Sequence, residues 1–192
     1  MSEKYTFTGE TMLSPDGTST LHKIVALKDF SDIHGGIEGG WIERGENLSQ
    51  EGDCWVYSDA MVYGNARVTD NAVVCDEAIV RGNAMVYDEA FIGGTAKVYE
   101  EASIGGTAQV YGYARVYDEA SIGGTAKVSG DARVYGTTRV SDAAQVYGNA
   151  RVYDRATIKG TAKVYDNAQV YGDAMVYDEV IIKGNAIVNN VK

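Results

Sequence analysis

From Cys54 to Val191 the chain can be cut every six residues without an insertion, and this period constrains the fold more than any other feature. The 138 residues make 23 units, among them Ala66-Arg-Val-Thr-Asp-Asn71, Ala114-Arg-Val-Tyr-Asp-Glu119 and Ala162-Lys-Val-Tyr-Asp-Asn167. The first position is Ala in 20 units, with Cys54, Thr138 and Val180 as exceptions, and the third is Val or Ile in every unit. A small residue and a β-branched residue two apart lie on the same side of an extended segment, so both face one interior. The fifth position is mostly Gly or Asp and the sixth mostly Asn, Asp, Glu or Thr. Such pairs turn the chain, because they tolerate the dihedrals that turns require. Three edges close a triangular coil of 18 residues, and stacked coils pair as parallel strands roughly 4.8 Å apart. The repeat therefore predicts about 7.7 coils in a prism on the order of 35 Å tall.

Composition agrees. One proline, 23 glycines and 14 tyrosines against 3 phenylalanines in 192 residues do not suit a helical bundle. A net charge of -10 excludes a general nucleic-acid backbone binder, whose affinity comes from Lys and Arg on phosphates. The first residues, Met1 to Tyr5, start no apolar run, and no stretch approaches the roughly 18 apolar residues of a membrane span. Cys54 and Cys75 form neither a disulfide framework nor a metal set. A cytoplasmic protein without membrane contact is expected.

Residues 1–53 lack the period and are expected to form an N-terminal β cap and lead-in segment, with the β-helix over 54–192. Tyr5 to Leu13 and Leu21 to Leu27 read as strands around the turn Ser14-Pro-Asp-Gly-Thr18. Gly39-Gly-Trp-Ile-Glu43, then Asn47-Leu-Ser49, then Trp55-Val56 follow. With Ile104-Gly-Gly-Thr-Ala-Gln109 in the repeat, these segments resemble the YdcK-like hexapeptide-repeat proteins of bacteria and their phages. The resemblance implies a single-stranded left-handed parallel β-helix, the handedness coming from the resemblance and not from the period. It implies architecture more than activity. Trp41, Ile42 and Leu48 are read as cap packing.

The second and fourth positions of each unit point outward. Reading every eighteenth residue puts Tyr63, Arg81, Tyr99, Tyr117, Tyr135, Tyr153 and Tyr171 in one column. Met61, Ile79, Lys97, Arg115, Arg133, Arg151 and Gln169 stand beside it. Lys97, Tyr99, Arg115, Tyr117, Arg133, Tyr135, Arg151 and Tyr153 are therefore the candidate binding residues. This face could stack sugars, bases or partner side chains, or its rings could merely brace neighbouring rungs. Glu100, Glu101, Asp118, Glu119 and Asp154 at the corners are expected as counter-charges. A second column, Trp55, Val73 and Phe91, is apolar and needs a cover, which the hairpin is expected to supply, with a partner chain as the alternative. At the far end Ile181, Ile187 and Val191 form a candidate interface for an end-to-end homodimer.

Three functions follow from these features. A non-catalytic solenoid acting through protein partners or self-association needs only patterned faces, and this is the expectation. A phage-type decoy that binds a host protein or a small ligand is the alternative. An acyltransferase is the second alternative, by fold analogy alone. Hexapeptide acyltransferases use a His base, and here only His22 and His34 exist, both outside the repeat. His34, beside Gly35 and Gly36, is the one candidate base. No catalytic constellation, metal motif or nucleotide loop appears, so no catalytic residue, metal or cofactor is expected.

Overall fold

The computed structural model describes residues 3–189. They form 26 strands and one 3-10 turn, Gly45–Asn47, with no α-helix among the described residues. The strands from β4 (Trp55–Val56) to β26 (Ile187–Asn189) number 23, one for each six-residue unit. Most hold only the second and third residues of a unit. Each pairs in parallel with the strand 18 residues on, as Lys97↔Arg115 and Val98↔Val116 do. The outcome is a parallel β-solenoid with three sheets, one per side of the prism.

Side-chain pattern explains the core. The Ala of the first position and the Val or Ile of the third are fully buried through nearly the whole stack. Thr138 stands in a first position, fully buried, and its hydroxyl has no hydrogen-bond partner. Corners are set by the fifth position. Wherever it is described, its φ is positive, whether the residue is Gly, Asp, Ser58 or Glu100. Asp suits that left-handed region better than most residues with a Cβ. It also reaches along the stack: Asp142 Oδ2 accepts the Gly160 N–H at 2.9 Å, and Asp118 Oδ2 accepts that of Gly136 at 2.9 Å. Threonine at the sixth position does the converse, as Thr125 Oγ1 donates to the Asp142 carbonyl at 3.0 Å.

The cap contains β1 (Tyr5–Leu13), β2 (Thr20–Ala26) and β3 (Glu38–Ile42). β1 and β2 form the expected hairpin within a residue of its predicted ends, and β3 runs antiparallel to β2. β3 then pairs in parallel with β5 (Met61–Val62), so the cap continues the sheet of the Tyr/basic face. Ile42 and Leu48 are buried against the first coil, and Trp41 is half-buried beneath Lys23 Nζ. Lys4 fastens the first strand: its buried Nζ donates to the carbonyls of Gly52 at 3.1 Å and Cys54 at 2.9 Å.

The cover of the apolar column differs from expectation. Because the hairpin extends the stack endwise, it buries only Trp55, whose ring meets Tyr5 and Phe30 edge-on at 6.2 and 5.4 Å. Val73 and Phe91 pair in register further along and remain half-buried without it. At the other end Ile181 and Ile187 are exposed, at 56% and 65%, on the last described strands. Val191 lies outside the described residues.

Candidate functional site

Parallel pairing brings Lys97, Arg115, Arg133 and Arg151 into direct register on consecutive rungs. All four side chains are exposed. At a rung spacing of ~5 Å, each neighbouring pair of cations repels by about 1 kcal/mol in water. The expected counter-charges do not pair with them. No carboxylate of the described residues forms an ion pair with the column. The corner acids have other work. Asp118 and Asp154 hold the N–H groups of Gly136 and Gly172, and Glu100 is engaged with Asp118, whose hydrogen bond raises the Glu100 carboxyl above its usual range.

Tyr99, Tyr117, Tyr135, Tyr153 and Tyr171 form one continuous stack. Their ring centroids are 4.9, 4.9, 5.1 and 5.0 Å apart and the rings are within 8° of parallel. The Arg81 guanidinium closes the N-terminal end, 4.8 Å above Tyr99. The ring faces are thus occupied by each other, and a sugar or base cannot stack on them. What remains outward are edges and hydroxyls, and those of Tyr99, Tyr117 and Tyr135 have no hydrogen-bond partner among the described residues. Burial raises these three phenols, and the guanidinium one rung on, Arg115 for Tyr99 and Arg133 for Tyr117, partly opposes it.

An open groove of about 400 Å³ runs along the prism edge beside this column. Lys97, Arg115 and Arg133 line it together with the corner residues Glu77, Thr95, Tyr113 and Asp131, so it holds two carboxylates as well as three cations. Tyr113 occupies a corner position, is 66% exposed, and belongs to no tyrosine stack. The same edge begins, at the first coil, with Tyr57, Ser58 and Asp59. There the Tyr57 hydroxyl donates to Asp32 at 3.1 Å and pins the loop between β2 and β3. Ile33 anchors that loop in the core, and His34 projects from it, well exposed. His34 Nδ1 lies 3.6 Å from Asp29 Oδ2, while Asp29 Oδ1 accepts the Gly35 N–H at 2.8 Å. That backbone bond first, and His34 second, hold the Asp29 carboxyl below its usual range. Sequence reasoning found His34 and missed Asp29, which is five residues away and is aligned only by the loop's bend. Among the described residues no cluster of three His, Cys, Asp or Glu side chains is placed to hold a metal ion.

Stacked six-residue edges with left-handed corners and a β cap define a hexapeptide-repeat β-solenoid. The YdcK β-solenoid repeat matches at residues 59–76, 144–160 and 168–184, so the chain carries repeats of that type and is similar to YdcK-like hexapeptide-repeat proteins. It is similar to a protein of Escherichia coli (strain K12) named "Uncharacterized acetyltransferase YdcK", at 46% identity over 55 residues. That stretch covers 27% of this chain and only 17% of the relative's length. The match corrects the expectation that the chain acts without catalysis: the acyltransferase reading, previously fold analogy, now has a relative of that name. His34 was already the one candidate base in the sequence; what the sequence did not show is the bend of its loop, which sets Asp29 beside it.

Proposed function

We propose that the chain supports acetyl transfer, with His34 as general base and Asp29 as the residue that positions it. The observation that carries this reading is the contact between His34 Nδ1 and Asp29 on a loop pinned to the edge along which the cationic groove opens. A carboxylate beside Nδ1 favours the tautomer with the proton there, leaving Nε2 to accept one. Nε2 would take the proton of an acceptor hydroxyl or amine as that group attacks the thioester carbonyl of acetyl-CoA. The carbon–sulfur bond then breaks and the thiolate of coenzyme A leaves, taking a proton from His34 or from water. The apo separation of 3.6 Å is longer than a hydrogen bond, and such contacts tighten when substrate binds. The groove further along the same prism edge, lined by Lys97, Arg115 and Arg133, supplies charge for an anionic substrate, and the acetyltransferase name of the similar protein points the same way.

The test is release of free coenzyme A from acetyl-CoA in the presence of hydroxyl and amine acceptors. His34→Ala is expected to lower turnover by about 100-fold or more, and Asp29→Asn by less. Turnover unchanged in His34→Ala, or none with any acceptor, would refute the reading.

A further inference from the structure

We propose that the column Lys97, Arg115, Arg133 and Arg151 is a docking track for a linear acidic polysaccharide, one with a carboxylate on each sugar, lying along the solenoid axis. This goes beyond the acetyl-transfer reading and does not rest on it, since the track would hold such a chain with or without His34.

Three observations carry the inference. The first is charge: four exposed cations stand in register, no carboxylate among the described residues forms an ion pair with them, and the two acids that line the groove, Glu77 and Asp131, leave the column in excess. A polyanion laid along the column would relieve the repulsion between its rungs. The second is the spacing. It is fixed by backbone pairing, as the 4.9–5.1 Å separations in the adjoining tyrosine stack show. A pyranose linked across its ring is about as long as one rung is tall. An extended polyuronate therefore meets a cation with every sugar, or with every second sugar if alternate carboxylates face opposite edges. An acidic peptide strand places same-side carboxylates roughly 6.6–6.8 Å apart and falls out of step with the rungs. The third is the tyrosine surface. Single-stranded nucleic acid binds by stacking bases on open aromatic faces, and here those faces are filled by neighbouring rings. What the ladder offers instead is the phenol hydroxyls of Tyr99, Tyr117 and Tyr135, which have no partner among the described residues, while those of Tyr153 and Tyr171 are engaged with Gln169 and Asn189. Each guanidinium can take a carboxylate through two parallel N–H bonds.

The experiment is calorimetric titration with oligogalacturonates of increasing length, alongside their methyl-esterified forms, polyglutamate and oligothymidylate of matched charge. Affinity for oligogalacturonate is expected to rise with length until four rungs are covered and then level off. Arg115→Glu with Arg133→Glu should weaken it at least about tenfold. Both side chains are exposed, so an unchanged circular dichroism spectrum and melting temperature would show the fold intact. His34→Ala should bind as tightly as the parent, which separates this proposal from the acetyl-transfer reading. No binding, equal binding of the methyl esters, tighter binding of polyglutamate or oligothymidylate, or indifference to the double substitution would each overturn it.

Discussion

Replacing Gly124 by Ala tests whether the corners of the prism are close-packed or only turned. Gly124 has φ +64, and a Cβ there would meet the backbone N and O of Asp142 in the next coil, both at 2.8 Å. Those atoms cannot easily retreat, because the Asp142 carbonyl accepts the Thr125 N–H at 2.6 Å. Gly184 has nearly the same φ, +66, but nothing lies within 4 Å of its would-be Cβ. The two substitutions thus share one term and differ in the other. Left-handed backbone costs a residue with a Cβ about 1–2 kcal/mol, and forcing atoms into a packed site adds about 1–3 kcal/mol. Gly184→Ala should therefore lose about 1–2 kcal/mol and Gly124→Ala about 2–5 kcal/mol. Urea unfolding measures both, with amide exchange at Thr125 and Asp142 to report local opening if the stack does not unfold as one unit. Equal costs would refute the claim that stacked corners touch.

Three other expectations follow from single residues. Thr138→Val keeps the shape of the buried side chain and removes its unpartnered hydroxyl, so thermal unfolding should show a gain of about 1 kcal/mol. Glu100→Asn puts a residue that tolerates the left-handed region at φ +59 and removes one of two facing carboxyls. Because the folded state raises the Glu100 carboxyl, its ionised form opposes folding above its ordinary range. The melting temperature should rise more at pH 7 than at pH 4, and an equal rise would discount the Asp118 contact. Finally, burial, followed by the Asp32 contact for Tyr57 and the Asp16 charge for Tyr63, pushes these phenols up to about 12. Burial also raises Tyr99, Tyr117, Tyr135, Tyr147 and Tyr153. A raised phenol stabilises the fold fully below its unfolded value near 10, and that contribution is lost as pH climbs through the folded value. Phenolate absorbance should lag behind that of a tyrosine peptide above pH 10 until alkaline unfolding releases it. Titration of all tyrosines near 10 with the fold intact would contradict this.

The solenoid could be read from sequence because its determinants are local and repeated. A Val or Ile every six residues and a turn-tolerant residue two later specify an edge and a corner, and 23 repetitions leave no competing register. The columns could be read for the same reason, since residues 18 apart are neighbours. What the period could not supply was the direction in which side chains lean. It placed Tyr117 above Tyr99 but not the rings face to face, which decides what the face can bind. It placed Asp118 near the cations but not its carboxylate on the Gly136 N–H. The cap is aperiodic, so the end-on docking of the hairpin and the approach of Asp29 to His34 depend on long-range packing.

Since each rung pairs with the residue 18 positions on, a gain or loss of 18 residues leaves every ladder aligned. One inserted residue, by contrast, would turn the Val of each later unit outward. Deleting 97–114 would set Ile79 beside Arg115 and shorten the row of cations from four to three, while duplicating the same stretch would lengthen it to five. The reach of this face is therefore counted in whole coils. Recombination between near-identical gene segments can change that count in one step, without redesigning the corners, the core or the cap.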